Sequence, residues 1–134
     1  MFTRSMWIPH NGFRARSVEA LRKTKLEWTQ IHNGLFLDYY GMPHVQSYLH
    51  PLPIFIDIAN RTAGIPGTTG NEELSFTYTQ DLGKFVVAAQ SLPHWDEGLH
   101  CYGDNATLKK VLSIAEEMTG KHCASLTVDR ADRN

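Results

Sequence analysis

Cysteine is scarce in this chain. The 134 residues include two, Cys101 and Cys123, which form no C-x-x-C pair and are too few for a disulfide framework. Reduced thiols in a cytoplasmic setting are the expectation. Long apolar runs are missing as well. The most apolar segment, residues 51–59, is short and holds Asp57, so no membrane span is expected. The opening MFTRSMWIPHNG lacks the apolar centre of a signal peptide. Charge of one sign is missing too: the formal net charge is -1. That balance offers no electrostatic reason for binding nucleic acid or an anionic membrane. No Ser stands in Gly-x-Ser-x-Gly, which removes the hydrolase nucleophile elbow. Seven histidines are present, yet the one close set, His94, His100 and Cys101, matches no zinc-ligand spacing. No metal is expected. Internal repeats and low-complexity segments are absent.

What remains is an ordinary globular composition, 42% hydrophobic and 20% charged, of a length that suits one domain with its own core. Residues 1–12 read as a loop or disordered terminus, with Pro9 and Asn11-Gly12 as breakers. Residues 14–25 read as a helix whose apolar line is Ala15, Val18 and Leu21, followed by a strand over 26–32. A helical turn at 45–49 and a short helix at 54–59 are expected around Pro51 and Pro53. Residues 63–67 lead into a turn. The alternation over 74–78 predicts a half-buried strand. Thr79 suits the N-cap of a helix carrying Leu82, Phe85, Val86, Ala89 and Leu92, stopped by Pro93. Residues 99–102 suit a short strand. Asp104 or Asn105 suits the cap of a last helix with Leu108, Val111, Leu112, Ala115 and Met118, closed by Gly120. Residues 123–128 alternate again as an edge strand, and 129–134 read as a loose tail. The order of elements is that of an α/β protein, with the two periodic helices expected to form its core.

The centre of the chain is residues 26–41, LEWTQIHNGLFLDYYG. A strand ends there at Asn33-Gly34, a pair that tolerates unusual backbone angles. Aromatic and polar groups, Phe36, Asp38, Tyr39 and Tyr40, follow at once. Open α/β sheets place their ligands at such strand ends. Together with AGIPGTTGNEELSFTYTQDLGKFVVAA over residues 63–89, this stretch resembles the NmrA-like branch of the atypical short-chain dehydrogenases, relatives of the isoflavone-reductase-type enzymes. The likeness runs from about Phe13 to about Gly120 and corresponds to the C-terminal half of such a protein. It implies an incomplete Rossmann-like, NAD(P)-binding fold over residues 13–128 that carries the substrate-binding segment and lacks the N-terminal dinucleotide-binding βαβ unit. The implied activity is NAD(P)H-dependent reduction of a small organic substrate, in secondary metabolism. A non-catalytic dinucleotide-sensing regulator and an inactive truncated product are the alternatives.

Gly64, Gly67 and Gly70 match GxxGxxG, but Asn71-Glu72-Glu73 and a strand follow where a phosphate cradle needs a helix N-terminus. Pro66 also removes an N–H. The motif therefore reads as a surface turn, and the chain by itself supports no NAD(P)H cradle. None of the five tyrosines has Lys four residues on, so the usual short-chain dehydrogenase pair is missing. The resemblance places the reductase lysine of the NmrA-like enzymes at Arg14, with Arg16 as the alternative. A guanidinium stays protonated and holds an oxygen electrostatically, but it does not relay a proton. The same resemblance sets Asn33 and Gly34 beside the nicotinamide ring, with Phe36 walling the substrate. Tyr39 and Tyr40 are the hydroxyl donors on that segment. A phenol is a general acid there only if its ordinary pKa of about 10 is lowered. The remaining partner expectation is self-association, or pairing with the missing half, through the open edge of the strand over 26–32.

Overall fold

The computed structural model describes residues 9–67 and 69–128. In chain order the elements are α1 (Pro9–Arg22), β1 (Gln30–His32), β2 (Leu35–Phe36), α2 (Asp38–Gly41), β3 (Ile56–Asp57), β4 (Thr62–Pro66), β5 (Glu73–Thr77), α3 (Thr79–Ala89), β6 (Gly98–His100), β7 (Asp104–Thr107), α4 (Leu108–Thr119) and β8 (Ala124–Val128). The strands form three small sheets among the described residues, in orders β1-β6, β2-β5-β7 and β3-β4-β8. Pairs β1·β6, β2·β5 and β4·β8 are parallel, and β3·β4 and β5·β7 are antiparallel. The α/β class is as the element order suggests.

Several local expectations are corrected. Helix α1 starts at Pro9, because a proline at the first helical position has no N–H to lose and its φ is already helical. Residues 9–12 are therefore helical, and Asn11-Gly12 does not break the chain; residues 1–8 and 129–134 lie outside the described residues. Strand β1 is confined to Gln30–His32, the length that finds a partner in β6. Residues 54–59 form no helix. Phe55 sits at φ 62° and Arg61 at φ 57°, left-handed angles that interrupt a right-handed helix. Between them Ile56–Asp57 pairs with β4 and Asp57 turns the chain, its carboxylate accepting from the amide and the side-chain nitrogen of Asn60 at 2.9 and 2.8 Å. Residues 45–49 are not a helical turn either; the helical turn is α2, one step earlier.

The stretch that leads into the turn is itself strand β4 as far as Pro66, the central strand of its sheet. Its Ala63 and Ile65 are buried while Thr62, Gly64 and Pro66 face out, the alternation that a half-covered strand requires. Thr79 starts α3 rather than capping it. Asp104 and Asn105 belong to β7, and Thr107 caps α4 by accepting from the Lys110 amide at 3.1 Å. Gly120 ends α4 at φ 64°, the left-handed stop expected of it.

The core is Ile56, Ala63, Ile65, Phe76, Leu108, Leu112 and Ala115. Of the two periodic helices, α4 supplies it and α3 does not: α3 has no buried residue, and Val87 is 66% exposed. The edge-to-face pair Tyr40–Phe76, 6.1 Å between centroids, closes one side.

One buried charge ties the irregular middle of the chain to α3. Asp38 is fully buried. Its carboxylate accepts from the Ser47 hydroxyl at 2.6 Å, the Thr79 hydroxyl at 2.5 Å and the Thr79 amide at 3.0 Å. Burial pushes this carboxyl up, but the bonds from Ser47 and Thr79 outweigh it and hold it below its ordinary value. The folded state therefore binds this proton more weakly than the unfolded one. The stabilisation is complete above the ordinary carboxylate pKa of about 3.9 and is lost as pH falls below it. Asp38→Ala should cost about 1–3 kcal/mol at pH 7, since it strands the half-buried Ser47 and Thr79 donors. The variant should also lose less of its remaining stability between pH 7 and pH 3 than the parent chain. Thermal melts at the two pH values check this; parallel losses in both proteins would overturn it.

Candidate active site

An open cleft of ≈ 550 Å³ lies where the parallel strands β1 and β6 end. That is the size of an ordinary small-molecule site, at the carboxyl end of paired strands where α/β sheets receive ligands. Its lining brings together Arg14 from α1, His32, Asn33 and Gly34 from the end of β1, and Phe36 from β2. Glu73, Leu74 and Ser75 of β5, His100, Cys101 and Tyr102 at the end of β6, and Ile31 of β1 complete it.

The floor is built by hydrogen bonds between separate strands. The Cys101 amide donates to the His32 carbonyl at 3.0 Å, extending the β1·β6 pairing by one residue. The buried Thr77 hydroxyl donates to the Asn33 carbonyl at 2.7 Å. Gly34, at φ 69°, then passes over β5 so closely that a Cβ there would lie 2.1 Å from the Ser75 carbonyl oxygen. Only glycine permits both the angle and the approach. Helix α1 is held to the chain before β6 by Arg22, whose guanidinium meets the Glu97 carboxylate at 2.5 Å. Both partners are exposed, so the pair orients the helix more than it stabilises the fold.

Arg14, Asn33, Gly34 and Phe36 thus share one cleft. Arg16 stands over the Phe13 ring at 5.5 Å. The two tyrosines do not line the cleft. The Tyr39 ring packs edge-on to Phe36 at 6.4 Å. The Tyr40 hydroxyl donates to the Ile54 carbonyl at 2.9 Å, and burial pushes its pKa up to about 12. That is the opposite of the lowering a phenolic general acid needs.

Sequence reasoning gave His32, His100, Cys101 and Tyr102 no place in this cleft, weighing His100 and Cys101 as metal ligands alone and Tyr102 for a paired lysine alone. The register sets His32 opposite His100, and their rings stack 4.7 Å apart at 17°. No local pattern signals a pairing between strands so far apart in the chain. Burial pushes the Cys101 thiol up, away from the thiolate form. Among the described residues, no group of three or more His, Cys, Asp or Glu is placed to hold a metal. No helix there is long and apolar enough to cross a membrane.

The glycine motif is a turn only from Gly67 on; its first glycine, Gly64, lies in β4 opposite Leu126, against the surface-turn expectation there. Gly67 and Gly70 have φ 100° and 65°, and the Glu72 carboxylate lies against Gly67, 2.8 Å from where a Cβ would stand. The Thr69 hydroxyl donates to that carboxylate at 3.2 Å. An acidic side chain lies beside this loop and strand β5 follows it, so it does not present the free helix N-terminus that holds a pyrophosphate.

No family model matches the chain. Over 118 residues it is 43% identical to "Oxidoreductase BOA1" of Botryotinia fuckeliana (strain B05.10), a match covering 88% of the chain and 39% of that protein. Over 107 residues it is 32% identical to "Oxidoreductase swnN" of Metarhizium robertsii (strain ARSEF 23 / ATCC MYA-3075), covering 77% of the chain and 31% of that protein. The chain therefore spans two-fifths or less of the length of these relatives. Among solved structures, "AtPrR2 in apo form" superposes with TM-score 0.57 at 18% identity, covering 86% of the chain and 38% of that structure's chain. That likeness concerns fold alone. At the coarse level, the chain is a relative of proteins named oxidoreductases.

Proposed function

We propose that this chain is the substrate-side part of an NmrA-like, NAD(P)H-dependent oxidoreductase that reduces a small organic molecule in the cytoplasm, in secondary metabolism. The observation that carries the reading is the cleft at the ends of β1 and β6, in a relative of named oxidoreductases. In this reading residues 13–128 are the C-terminal part of an NmrA-like domain. Asn33 and Gly34 border the nicotinamide end of the cofactor, Phe36 walls the substrate, and Arg14 holds an oxygen by charge. The cofactor supplies hydride when bound. The turn after β4, followed by a strand and bordered by Glu72, offers no cradle for the pyrophosphate. Arg14 in the lysine position favours the second reading, a dinucleotide-sensing regulator without turnover.

Amide NMR of the chain tests the placement. Nicotinamide mononucleotide should shift Asn33, Gly34, Phe36 and Cys101 at millimolar concentration, adenosine diphosphate should shift none of them, and NADPH should bind more weakly than micromolar. Shifts elsewhere, or a micromolar NADPH affinity, would defeat the reading. The open side of the two-stranded β1·β6 sheet further implies self-association or docking of another segment. Sedimentation should therefore show mass rising with concentration, whereas a monomer at every concentration would count against that part.

A further inference from the structure

Carbonyl reduction needs a proton as well as a hydride, and the residues first considered for it do not supply one. Tyr40 spends its hydroxyl on Ile54, Tyr39 lies off the cleft, and a guanidinium keeps its protons. Six cleft-lining groups are titratable or charged: Arg14 on α1, Glu73 on β5, and His32, His100, Cys101 and Tyr102 at the strand ends. Imidazole is the side-chain type that gives and takes a proton between pH 5 and 8. Here two imidazoles are stacked, register-paired, and adjacent in sequence to Asn33 and to Cys101.

We propose that His32 and His100 together form the oxyanion-holding and proton-donating pair of this cleft. The proposal rests on the oxidoreductase reading above and names the proton source for it. A protonated imidazole of the pair donates its N–H to the oxygen of a carbonyl whose carbon receives hydride from a dihydronicotinamide. The C–H and O–H bonds form while the C=O π bond and the imidazolium N–H bond break. The carbonyl is reduced to an alcohol, the nicotinamide is oxidised, and solvent returns a proton to the imidazole. Arg14 lines the same cleft and adds positive charge for the oxygen that becomes negative.

The test is binding of 4-nitrophenol, whose phenolate imitates the oxygen anion formed as hydride arrives. Its absorbance and the histidine ring-proton shifts are followed from pH 6 to pH 8. The parent chain should hold the phenolate about ten-fold more tightly than H32Q/H100Q, as loss of a charge-assisted hydrogen bond implies. H32Q and H100Q alone should each give part of that loss. Both rings are exposed, so melting temperatures should stay near the parent value, and the single variants serve if the double variant fails to fold. Phenolate affinity unchanged in the variants, or no phenolate binding in the parent chain, overturns the proposal. The nicotinamide mononucleotide shifts at Asn33 and Gly34 should persist in H32Q/H100Q. Their absence from the parent chain would instead remove the oxidoreductase reading, so the two failures are told apart.

Discussion

Phe76→Ala should cost the fold about 3–5 kcal/mol, the usual penalty for emptying a buried Phe site. Phe76 is 1% exposed, the most buried large side chain of the core. It lies in β5, the middle strand of its sheet, so the neighbouring strands on both sides resist collapse into the void. Ile56, Ile65, Leu108 and Leu112 belong to the same cluster. Tyr40 would lose its ring partner. Stability of a domain this size is about 5–15 kcal/mol, so the loss is a large share. Phe85→Ala should cost less, because its helix α3 buries no residue. Urea denaturation of the two variants gives the comparison. A cost below about 1 kcal/mol for Phe76, or a larger one for Phe85, would show that the core lies elsewhere.

Gly34→Ala should destabilise the chain by roughly 2–5 kcal/mol and open the cleft floor. Two costs add. A non-glycine residue held at φ 69° loses about 1–2 kcal/mol through the Cβ clash of left-handed backbone. Forcing a methyl group into filled space costs about 1–3 kcal/mol more, and here the obstacle is the Ser75 carbonyl at 2.1 Å. That carbonyl cannot swing aside, since β5 is pinned to β7 at Ser75↔Asn105 and to β2 at Leu35↔Phe76. Relief therefore requires β2 to part from β5, which also weakens the Thr77–Asn33 bond. Denaturation midpoints and the amide shifts of Leu35, Phe76 and Thr77 read both effects. A variant within about 0.5 kcal/mol of the parent, with unmoved shifts, would mean that Gly34 is not under this constraint.

Part of the candidate cleft was legible, where its signal was local. Asn33-Gly34 marked the end of a strand, and the structure has β1 ending there with Gly34 in the left-handed region. Arg14, Asn33, Gly34 and Phe36 come to one cleft. The tyrosines were a different matter. Tyr39 and Tyr40 adjoin that segment, but α2 begins at Asp38, and its turn carries both rings away from the cleft. The histidines carried no signal in the chain, because their meeting depends on the β1·β6 register.

The sequence by itself determined the elements whose stabilising pattern lies within a dozen residues. Helix α4 follows from its 3.6-residue apolar period and from Gly120. The place of strand β5 follows from its β-forming residues, but the alternating burial expected of it does not hold, because the adjacent Phe76 and Thr77 are both buried; the turn after β4 follows from Gly67, Gly70 and the acidic residues beyond them. Tertiary structure decided the rest. Strands β3 and β7 are short, and the identity of β3, β4 and β7 comes from the partners they pair with. In β4, Gly64 and Pro66 look like turn residues, yet both face outward while Ala63 and Ile65 find the core. Asp38 looks like a surface carboxylate until Ser47 and Thr79, 9 and 41 residues away, supply its donors. The physical reason is common to all of these. Helix periods and turn angles are properties of neighbouring residues, whereas strand pairing, charge burial and the stacking of two imidazoles exist only once distant segments are brought together.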